Sequence, residues 1–124
     1  MLEKFLKSKI HRARITGRDL EYEGSLTLDP DLMDAADLSP FESVWIYNIS
    51  NGARFETYII PGERGKREVT LNGAAARLGE IGDKIIIAAY AWYSPDEIDS
   101  AVVKLVFVDE ENRIKDIKET RICV

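Results

Sequence analysis

The sequence predicts a mainly β domain in which seven or so short strands, with small helices between them, close into a barrel. Its apolar segments are short and rich in β-branched residues, and turn-forming residues end them. The 124 residues fit one compact domain, 1–124, and no linker, repeat or low-complexity tract divides it. A closed barrel removes exposed sheet edges, although periodicity alone does not choose among barrel types.

The strands follow from period-two alternation and from turn residues at their ends. Leu26 and Leu28 alternate with polar neighbours, as on a half-buried strand. Asn51-Gly52 lies between two strand-like segments and is a strong short-range signal for a β-hairpin. The predicted strands, in chain order, cover residues 5–16, 26–28, 44–50, 54–60, 69–71, 85–89, 102–108 and 114–120.

Two short helices are predicted from the residues that open them. Asp29 is the candidate N-cap of the first helix, which begins at Pro30 and runs through Ala36. The second helix has Ser94 as its candidate N-cap and Pro95 as its first residue. Both openings combine a side-chain oxygen that can accept a backbone hydrogen bond with a proline that is already fixed at a helical φ.

The composition is that of a globular protein. Apolar residues make up 45% of the chain and charged residues 31%. The longest apolar run, residues 85–93, is too short to span a bilayer, and charged residues interrupt the N-terminus where a signal peptide would be apolar. Cys123 is the only cysteine, so no internal disulfide forms. We therefore expect a cytoplasmic protein without a membrane partner.

The charge is unevenly distributed along the chain. The net charge is −5, yet residues 1–24 hold six basic and four acidic residues, which leaves −7 on the remainder. An acidic chain is a poor general ligand for nucleic acid, because phosphate affinity comes from clustered Lys and Arg. The basic N-terminal stretch is consistent with a small anionic ligand, or with a solvated strand face.

The chain contains few of the residues that catalysis by side chains alone usually requires. One histidine and one cysteine exclude a dense His/Cys metal site, and we predict no bound metal. A Ser-His-Asp triad would need His11 as its base, and the chain has no G-x-S-x-G elbow or phosphate-binding glycine loop. Glu110 and Glu111 are interpreted as solvated turn charges rather than a glycosidase pair. If the chain is an enzyme, a cofactor has to carry the difficult step.

Seven short segments stand out together, in order and without gaps: Lys9-Ile10-His11-Arg12-Ala13, Tyr22-Glu23-Gly24-Ser25, Asp34-Ala35-Ala36, Asn51-Gly52-Ala53-Arg54, Thr57-Tyr58, Gly62-Glu63-Arg64-Gly65 and Asn72-Gly73-Ala74-Ala75-Ala76. Together they resemble the aspartate 1-decarboxylase family, the pyruvoyl enzymes that make β-alanine for pantothenate and coenzyme A synthesis. The similarity runs from about residue 2 to 87 and weakens after residue 93. The resemblance implies a double-psi β-barrel, a homotetramer and active sites between subunits.

The resemblance implies that the chain makes its own cofactor at Gly24-Ser25. In the family the serine hydroxyl attacks the preceding carbonyl, and the chain is cut autocatalytically into residues 1–24 and residues 25–124. Ser25 then becomes a covalent pyruvoyl group, which forms a Schiff base with the amine of L-aspartate. Glycine before the serine tolerates unusual backbone angles and lets a nucleophile approach. Thr57 matches the family position that helps to stabilise the oxyanion. Taken alone, Gly24-Ser25 also fits a simple turn.

The same resemblance assigns substrate-binding residues. Arg54 would hold the remaining carboxylate through its planar fork, with Lys9 nearby. His11 is interpreted either as part of this site or as a hydrogen-bonded structural histidine. The alternative for Arg54 and Lys9 is a solvated arginine beside a turn and an exposed edge lysine. The segment Asn72, Gly73, Ala74 and Ala75, a turn that runs into a helical turn, would offer an amide side chain and backbone N–H groups.

Tyr58 is the predicted proton donor, because a phenol carries its proton at neutral pH and can act as a general acid. A core aromatic with a hydrogen-bonded hydroxyl is the alternative. Tyr22, near the predicted cut, is a second candidate. On a regular strand Thr57 and Tyr58 point to opposite faces, so the two cannot both reach one site without a twist or a subunit boundary.

Two other functions stay open. The chain could decarboxylate a different amino acid with the same cofactor, or it could be a non-catalytic β-barrel binding module. The pairing of Arg54 with Lys9 favours a dicarboxylic substrate. Whether a maturation partner is needed does not follow from the residues. The differences from the family at Arg77, Ala101 and Val103 concern subunit packing more than chemistry.

Overall fold

A computed structural model describes residues 1–123 and confirms a mainly β fold with short helices. Of the predicted helices, the first spans Pro30–Ala35 and the second spans Pro95–Ile98. The strands are β1 (Glu3–Arg14), β2 (Gly17–Asp19), β3 (Ser25–Leu28), β4 (Ser43–Asn48), β5 (Arg54–Pro61), β6 (Val69–Asn72), β7 (Lys84–Tyr93), β8 (Val102–Val108) and β9 (Ile114–Arg121); the helices are α1 (Pro30–Ala35), a 3₁₀ helix (Gly73–Leu78) and α2 (Pro95–Ile98).

The strands form one twisted sheet in the order β2-β6-β3-β5-β4-β7-β1-β8-β9. Three neighbouring pairs are parallel, β2 with β6, β3 with β5 and β1 with β8, and the other pairs are antiparallel. This arrangement is compatible with a double-psi barrel, but the ladder is not closed, so the prediction of full closure was wrong. The ladder ends at β2 on one side and at β9 on the other; all residues of β9 are exposed, and it extends the sheet as a hairpin on β8.

Alternate residues of the strands fill the interior. On β4 Val44 and Ile46 point inward, and on β7 Ile85 and Ile87 do the same. Burying each such side chain contributes roughly 1.5–3 kcal/mol to stability. The opposite faces of β4 and β7 present Trp45, Tyr47, Tyr90 and Trp92. Strand β7 is therefore longer than predicted, since its alternation continues through these outward aromatic residues.

The long first strand predicted for residues 5–16 is interrupted. Arg12 has a φ of 70° at a register shift between β1 and β7. Beyond it, the Ile15 N–H donates to Asp83 O at 3.0 Å and the Thr16 N–H donates to Val69 O at 2.8 Å. These bonds carry the chain from one half of the sheet to the other, where β2 pairs with β6.

Both helix openings match their predictions. Asp29 accepts a hydrogen bond from the Asp31 N–H at 2.8 Å and caps α1. Ser94 and Glu97 form a reciprocal capping box at the start of α2. Within residues 1–123, no helix has the length and apolar character needed to cross a bilayer.

Candidate active site

Ser25 opens β3 and is fully buried, with 0% of its surface exposed. It pairs with Asn72 of the antiparallel neighbour β6. The Asn72 Nδ2 group donates a 2.9 Å hydrogen bond to Ser25 Oγ, and Ser25 Oγ donates a 3.1 Å bond to the carbonyl oxygen of Glu23. The hydroxyl is therefore both a donor and an acceptor, in a place shielded from water.

Gly73 lies directly against the Gly24 backbone. Its φ is 62°, and a Cβ at this position would lie 2.7 Å from Gly24 Cα, 2.8 Å from Gly24 N and 2.9 Å from Tyr22 O. A Cβ on Gly24 itself would meet only Asn72 O, at 4.0 Å. The sequence predicts the need for a close backbone approach at Gly24. In the structure this approach requires glycine at position 73, because the atoms that a Gly73 Cβ would meet belong to rigid backbone.

Thr57 and Tyr58 lie on opposite faces of β5, as alternation predicts. Thr57 is paired with the buried Val44, whereas the Tyr58 ring stacks on Phe41 with centroids 6.3 Å apart. Strand β5 runs parallel to β3 with Ile59 beside Leu26. Extending this register back by one residue brings Tyr58 alongside Ser25, and by two residues brings Thr57 alongside Gly24.

The remaining predicted residues near Ser25 belong to the 3₁₀ helix and to the segment before β3. Ala75 is buried, whereas Ala74 is exposed. Tyr22 is half exposed, and its carbonyl oxygen faces Gly73. The structure therefore brings Gly73 and the backbone of residues 22–24 together, while Ala74 and the Tyr22 side chain remain open to solvent.

Arg54 lies in a separate cluster on the outer face of the sheet. Its guanidinium carbon is 3.9 Å from the centroid of the Tyr47 ring, and Tyr47 is its partner across the β4–β5 pair. The hydroxyls of Tyr47 and Tyr90 are 2.5 Å apart. Burial and this hydrogen bond raise the pKa of Tyr47 to about 12, so its ring stays neutral beneath the cation.

This cluster lines a cleft of about 340 Å³. Among residues 1–123, two cations and three aromatic rings surround it and no carboxylate does, which suits an anionic ligand with an apolar body. Sequence reasoning missed its aromatic residues. The signal was the alternation on β4, which turns Tyr47 outward because Ile46 and Asn48 point inward. The lining residues are Lys4, Trp45, Tyr47, Arg54 and Tyr90.

Lys9 and His11 lie on the outer face of β1, on either side of the buried Ile10. The His11 ring meets Phe107 edge-on at 5.6 Å, and its Nδ1 is buried without a hydrogen-bond partner among residues 1–123. Burial, and then the charges of Lys9 and Arg12, lower the pKa of His11 below its ordinary value. A fully hydrogen-bonded structural histidine would need a partner for His11 Nδ1, and residues 1–123 of one chain supply none.

Comparison with known proteins identifies the family. The aspartate decarboxylase family model matches residues 1–115. A protein of Sulfurihydrogenibium sp. (strain YO3AOP1) named aspartate 1-decarboxylase is 57% identical over 120 residues, which cover 96% of this chain and 90% of that protein. A protein of the same name from Ralstonia pickettii (strain 12J) is 50% identical over 120 residues, covering 97% of this chain and 100% of that one. The chain belongs to the aspartate decarboxylase family.

The match to the aspartate decarboxylase family confirms the resemblance seen in the sequence. The matched region ends at residue 115, so six of the eight residues of β9 (Ile114–Arg121) lie beyond it. This agrees with the weaker similarity of the C-terminal third. The candidate residues, from Lys9 to Ala75, all lie within the matched region.

One chain does not bring all the candidate residues of this family member together. Arg54 precedes Tyr58 by four residues of β5, which is roughly 13 Å along a strand. Lys9 on β1 is three strand steps from Arg54, or roughly 14 Å. Ser25, Asn72, Gly73 and Tyr58 thus form one group, and Arg54 and Lys9 lie apart from it and from each other.

Proposed function

We propose that this protein converts L-aspartate to β-alanine and CO₂, supplying β-alanine for pantothenate and coenzyme A synthesis, after it cuts its own chain between Gly24 and Ser25. It is a carboxy-lyase of the aspartate decarboxylase family. The observation that carries the proposal is the buried Ser25 hydroxyl, which is held by Asn72 and Glu23 beside the Gly24 backbone.

Cleavage begins when Ser25 Oγ attacks the Gly24 carbonyl carbon and the Gly24–Ser25 C–N bond breaks, which converts an amide into an ester. Elimination then releases Gly24 as a carboxylate that retains the Oγ atom and leaves dehydroalanine at position 25. Hydrolysis of dehydroalanine releases ammonia and leaves the pyruvoyl group. The products are a short chain of residues 1–24 and a long chain of residues 25–124.

Thr57 has the register position to stabilise the oxyanion of the first step, because extending the β3–β5 register two residues back from Leu26 and Ile59 would bring Gly24 beside Thr57. A hydroxyl donor that is already in place costs no reorganisation when the charge develops. Its half-buried position beside Val44 would limit competition from water.

The residues around position 25 fit a pyruvoyl group. Gly73 has no Cβ and so lets the backbone of residues 22–24 lie against it, Asn72 offers a side-chain N–H, and Ala74 and Ala75 continue a small-residue turn with backbone donors. The group, once formed, supplies an electron sink for loss of the α-carboxylate. Tyr58, on the face of Ser25, is the proton donor that we propose for the product carbon, and Tyr22 is the second candidate.

Arg54 and Lys9 are the residues that we propose for the substrate carboxylate. Arg54 forms no ion pair within residues 1–123, and the Tyr47 ring holds its planar fork from one side. A bidentate arginine, with the lysine of a second subunit brought beside it, would favour a dicarboxylic amino acid over a neutral or cationic one. His11 shares the outer face of β1 with Lys9 and would adjoin this end of the substrate.

A second copy of the chain would complete the site. Along a single sheet Arg54 lies roughly 13 Å from Tyr58 and roughly 14 Å from Lys9. We therefore propose active sites between the subunits of a homotetramer. The outward-facing aromatic residues of β4 and β7, of which Trp92 is exposed, suit burial at such an interface. With a single thiol, Cys123, we place the enzyme in the cytoplasm.

The activity test offers purified protein aspartate, glutamate and ornithine separately and measures CO₂ and amine product. We expect β-alanine from aspartate and no product from ornithine. Ser25→Ala, which lacks the nucleophile, should give no product, and Tyr58→Phe should keep the cut and lose turnover. Product from Ser25→Ala would refute the assignment of the cofactor, and turnover of glutamate instead of aspartate would refute that of the substrate.

A further inference from the structure

Thr27 takes the second hydrogen of the Asn72 amide. Asn72 Nδ2 donates to Ser25 Oγ at 2.9 Å and to Thr27 Oγ1 at 2.7 Å. Ser25 and Thr27 lie on the same face of β3 because they flank the inward-pointing Leu26. The Asn72 side chain therefore bridges two hydroxyls of the neighbouring strand.

The bridge fixes the orientation of the amide. A primary amide has two N–H hydrogens, and here both have acceptors in a place where Asn72 is only 3% exposed. Without the Thr27 acceptor, one buried N–H would have no partner, and rotation of the amide would turn Oδ1 towards Ser25. The group facing Ser25 would then accept a hydrogen bond instead of donating one.

The orientation of the amide sets the orientation of the Ser25 hydroxyl. While Asn72 donates to Oγ, the Ser25 hydrogen is free to point to Glu23 O, 3.1 Å away. With Oδ1 in its place, the hydrogen would turn to Asn72. We propose that Thr27 is a positioning residue for self-cleavage, whose Oγ1 keeps the Asn72 amide as a donor to the Ser25 nucleophile. This inference rests on the proposed cleavage between Gly24 and Ser25.

The chemistry of the cut separates this role from one in turnover. The Oγ atom leaves position 25 with the Gly24 carboxylate, so the mature enzyme no longer contains the hydroxyl that Thr27 helps to orient. In the mature site Thr27 would still orient the Asn72 amide, so the rate of cleavage, and not kcat, measures its effect on the Ser25 hydroxyl. A residue with only a packing role would not be rescued by a substitution that keeps the hydroxyl and removes the methyl group.

The test compares Thr27→Val with Thr27→Ser. Valine keeps the Cγ2 methyl that packs near Gly62 and removes the acceptor, whereas serine keeps the acceptor. Freshly purified protein is incubated, and intact mass gives the uncut fraction over time. We expect valine to slow cleavage about tenfold, the effect of losing one hydrogen bond at the transition state, and serine to stay within about threefold of the unsubstituted chain.

Cleavage of Thr27→Val at the unsubstituted rate would overturn the inference, and so would a serine variant as slow as valine. Should Thr27→Val fail to fold by circular dichroism, Thr27→Ala removes the same acceptor with a smaller side chain and is judged by the same rates. If the unsubstituted chain itself is never cut, the proposed function fails and this inference with it. A normal cut in the unsubstituted chain with no effect of valine overturns the inference alone.

Discussion

Gly73 and Gly24 are in backbone contact so close that a Cβ on Gly73 would lie 2.7 Å from Gly24 Cα. This contact brings the 3₁₀ helix against the predicted cleavage point. It also explains why the two glycines differ: Gly73 is required by space and by its φ of 62°, whereas Gly24 has room for a side chain.

Gly73→Ala should therefore prevent self-cleavage and lower the free energy of unfolding by about 2 kcal/mol, since it combines backbone strain with a clash. Urea denaturation and intact mass measure the two effects. Gly52→Ala is the matched control: Gly52 has a φ of 80° but no atom within 4 Å of its added Cβ. It should lose stability and still be cut. Normal cleavage of Gly73→Ala would contradict the proposal that self-cleavage depends on this contact.

Arg54→Lys keeps the charge and loses the planar fork above Tyr47. We expect normal cleavage and a KM for aspartate raised roughly tenfold, because one of two parallel hydrogen bonds to the carboxylate is lost. Steady-state kinetics measure this. Arg64→Lys is the control, because Arg64 forms exposed ion pairs with Asp31 and Asp34 away from the cleft. Equal KM values for Arg54→Lys and the unsubstituted chain would remove Arg54 from the site.

The tyrosine pair predicts a pH dependence at the alkaline end. The pKa of Tyr47 is raised to about 12 by burial and the Tyr90 hydroxyl, against about 10 for a free phenol. A raised pKa means that the neutral form is favoured in the folded state, so this stability is fully present below pH 10 and is lost as pH rises to 12.

Ultraviolet titration of phenolate should accordingly reveal a late-ionising tyrosine, and Tyr90→Phe should move that ionisation to lower pH by removing the hydrogen bond. Tyr93→Phe, which leaves the pair intact, is the control and should leave the late ionisation unchanged. An unaltered late ionisation in Tyr90→Phe would show that the Tyr47–Tyr90 bond has no influence on the pKa.

Asp29 predicts an acid dependence of stability. Burial opposes its ionisation, but the N–H groups of Asp31, Arg67 and Gly65 outweigh burial and lower its pKa. A lowered pKa means that the stabilisation is present above the unfolded-state value of about 3.9 and is lost as pH falls through the folded-state pKa.

Asp29→Asn should thus lower the free energy of unfolding by about 2 kcal/mol at neutral pH, the cost of losing charge-assisted hydrogen bonds, and the difference should shrink below pH 4. Denaturant titrations at several pH values measure it. Asp116→Asn, on the exposed strand β9, is the control. A difference that stays constant down to the lowest pH would contradict an ionised Asp29 in the folded chain.

Local signals explain which features of the fold were predictable. The dipeptides Asp29-Pro30 and Ser94-Pro95 are enough to predict where the two helices begin. Asn51-Gly52 joins β4 to β5, as its sequence indicates. The separate strand β2 and the open ladder depend on long-range pairing, such as Thr16 with Val69, which no local pattern encodes.

The candidate site divides in the same way. Family resemblance singled out Ser25 and Asn72, but not the direct bond between them or the role of Thr27 as second acceptor. The contact of Tyr47 with Tyr90 joins strands 43 residues apart, so only the paired register of β4 and β7 brings it about. The sequence contained the alternation of these residues, whereas their contacts required the fold.

Intact mass of the purified protein, taken before and after prolonged incubation, tests the central claim most directly. The proposed chemistry predicts two chains, residues 1–24 and 25–124, with the long chain lighter by one ammonia than a simple hydrolytic cut would leave it. A single uncut chain after prolonged incubation, or a long chain that begins with unmodified serine, would contradict it.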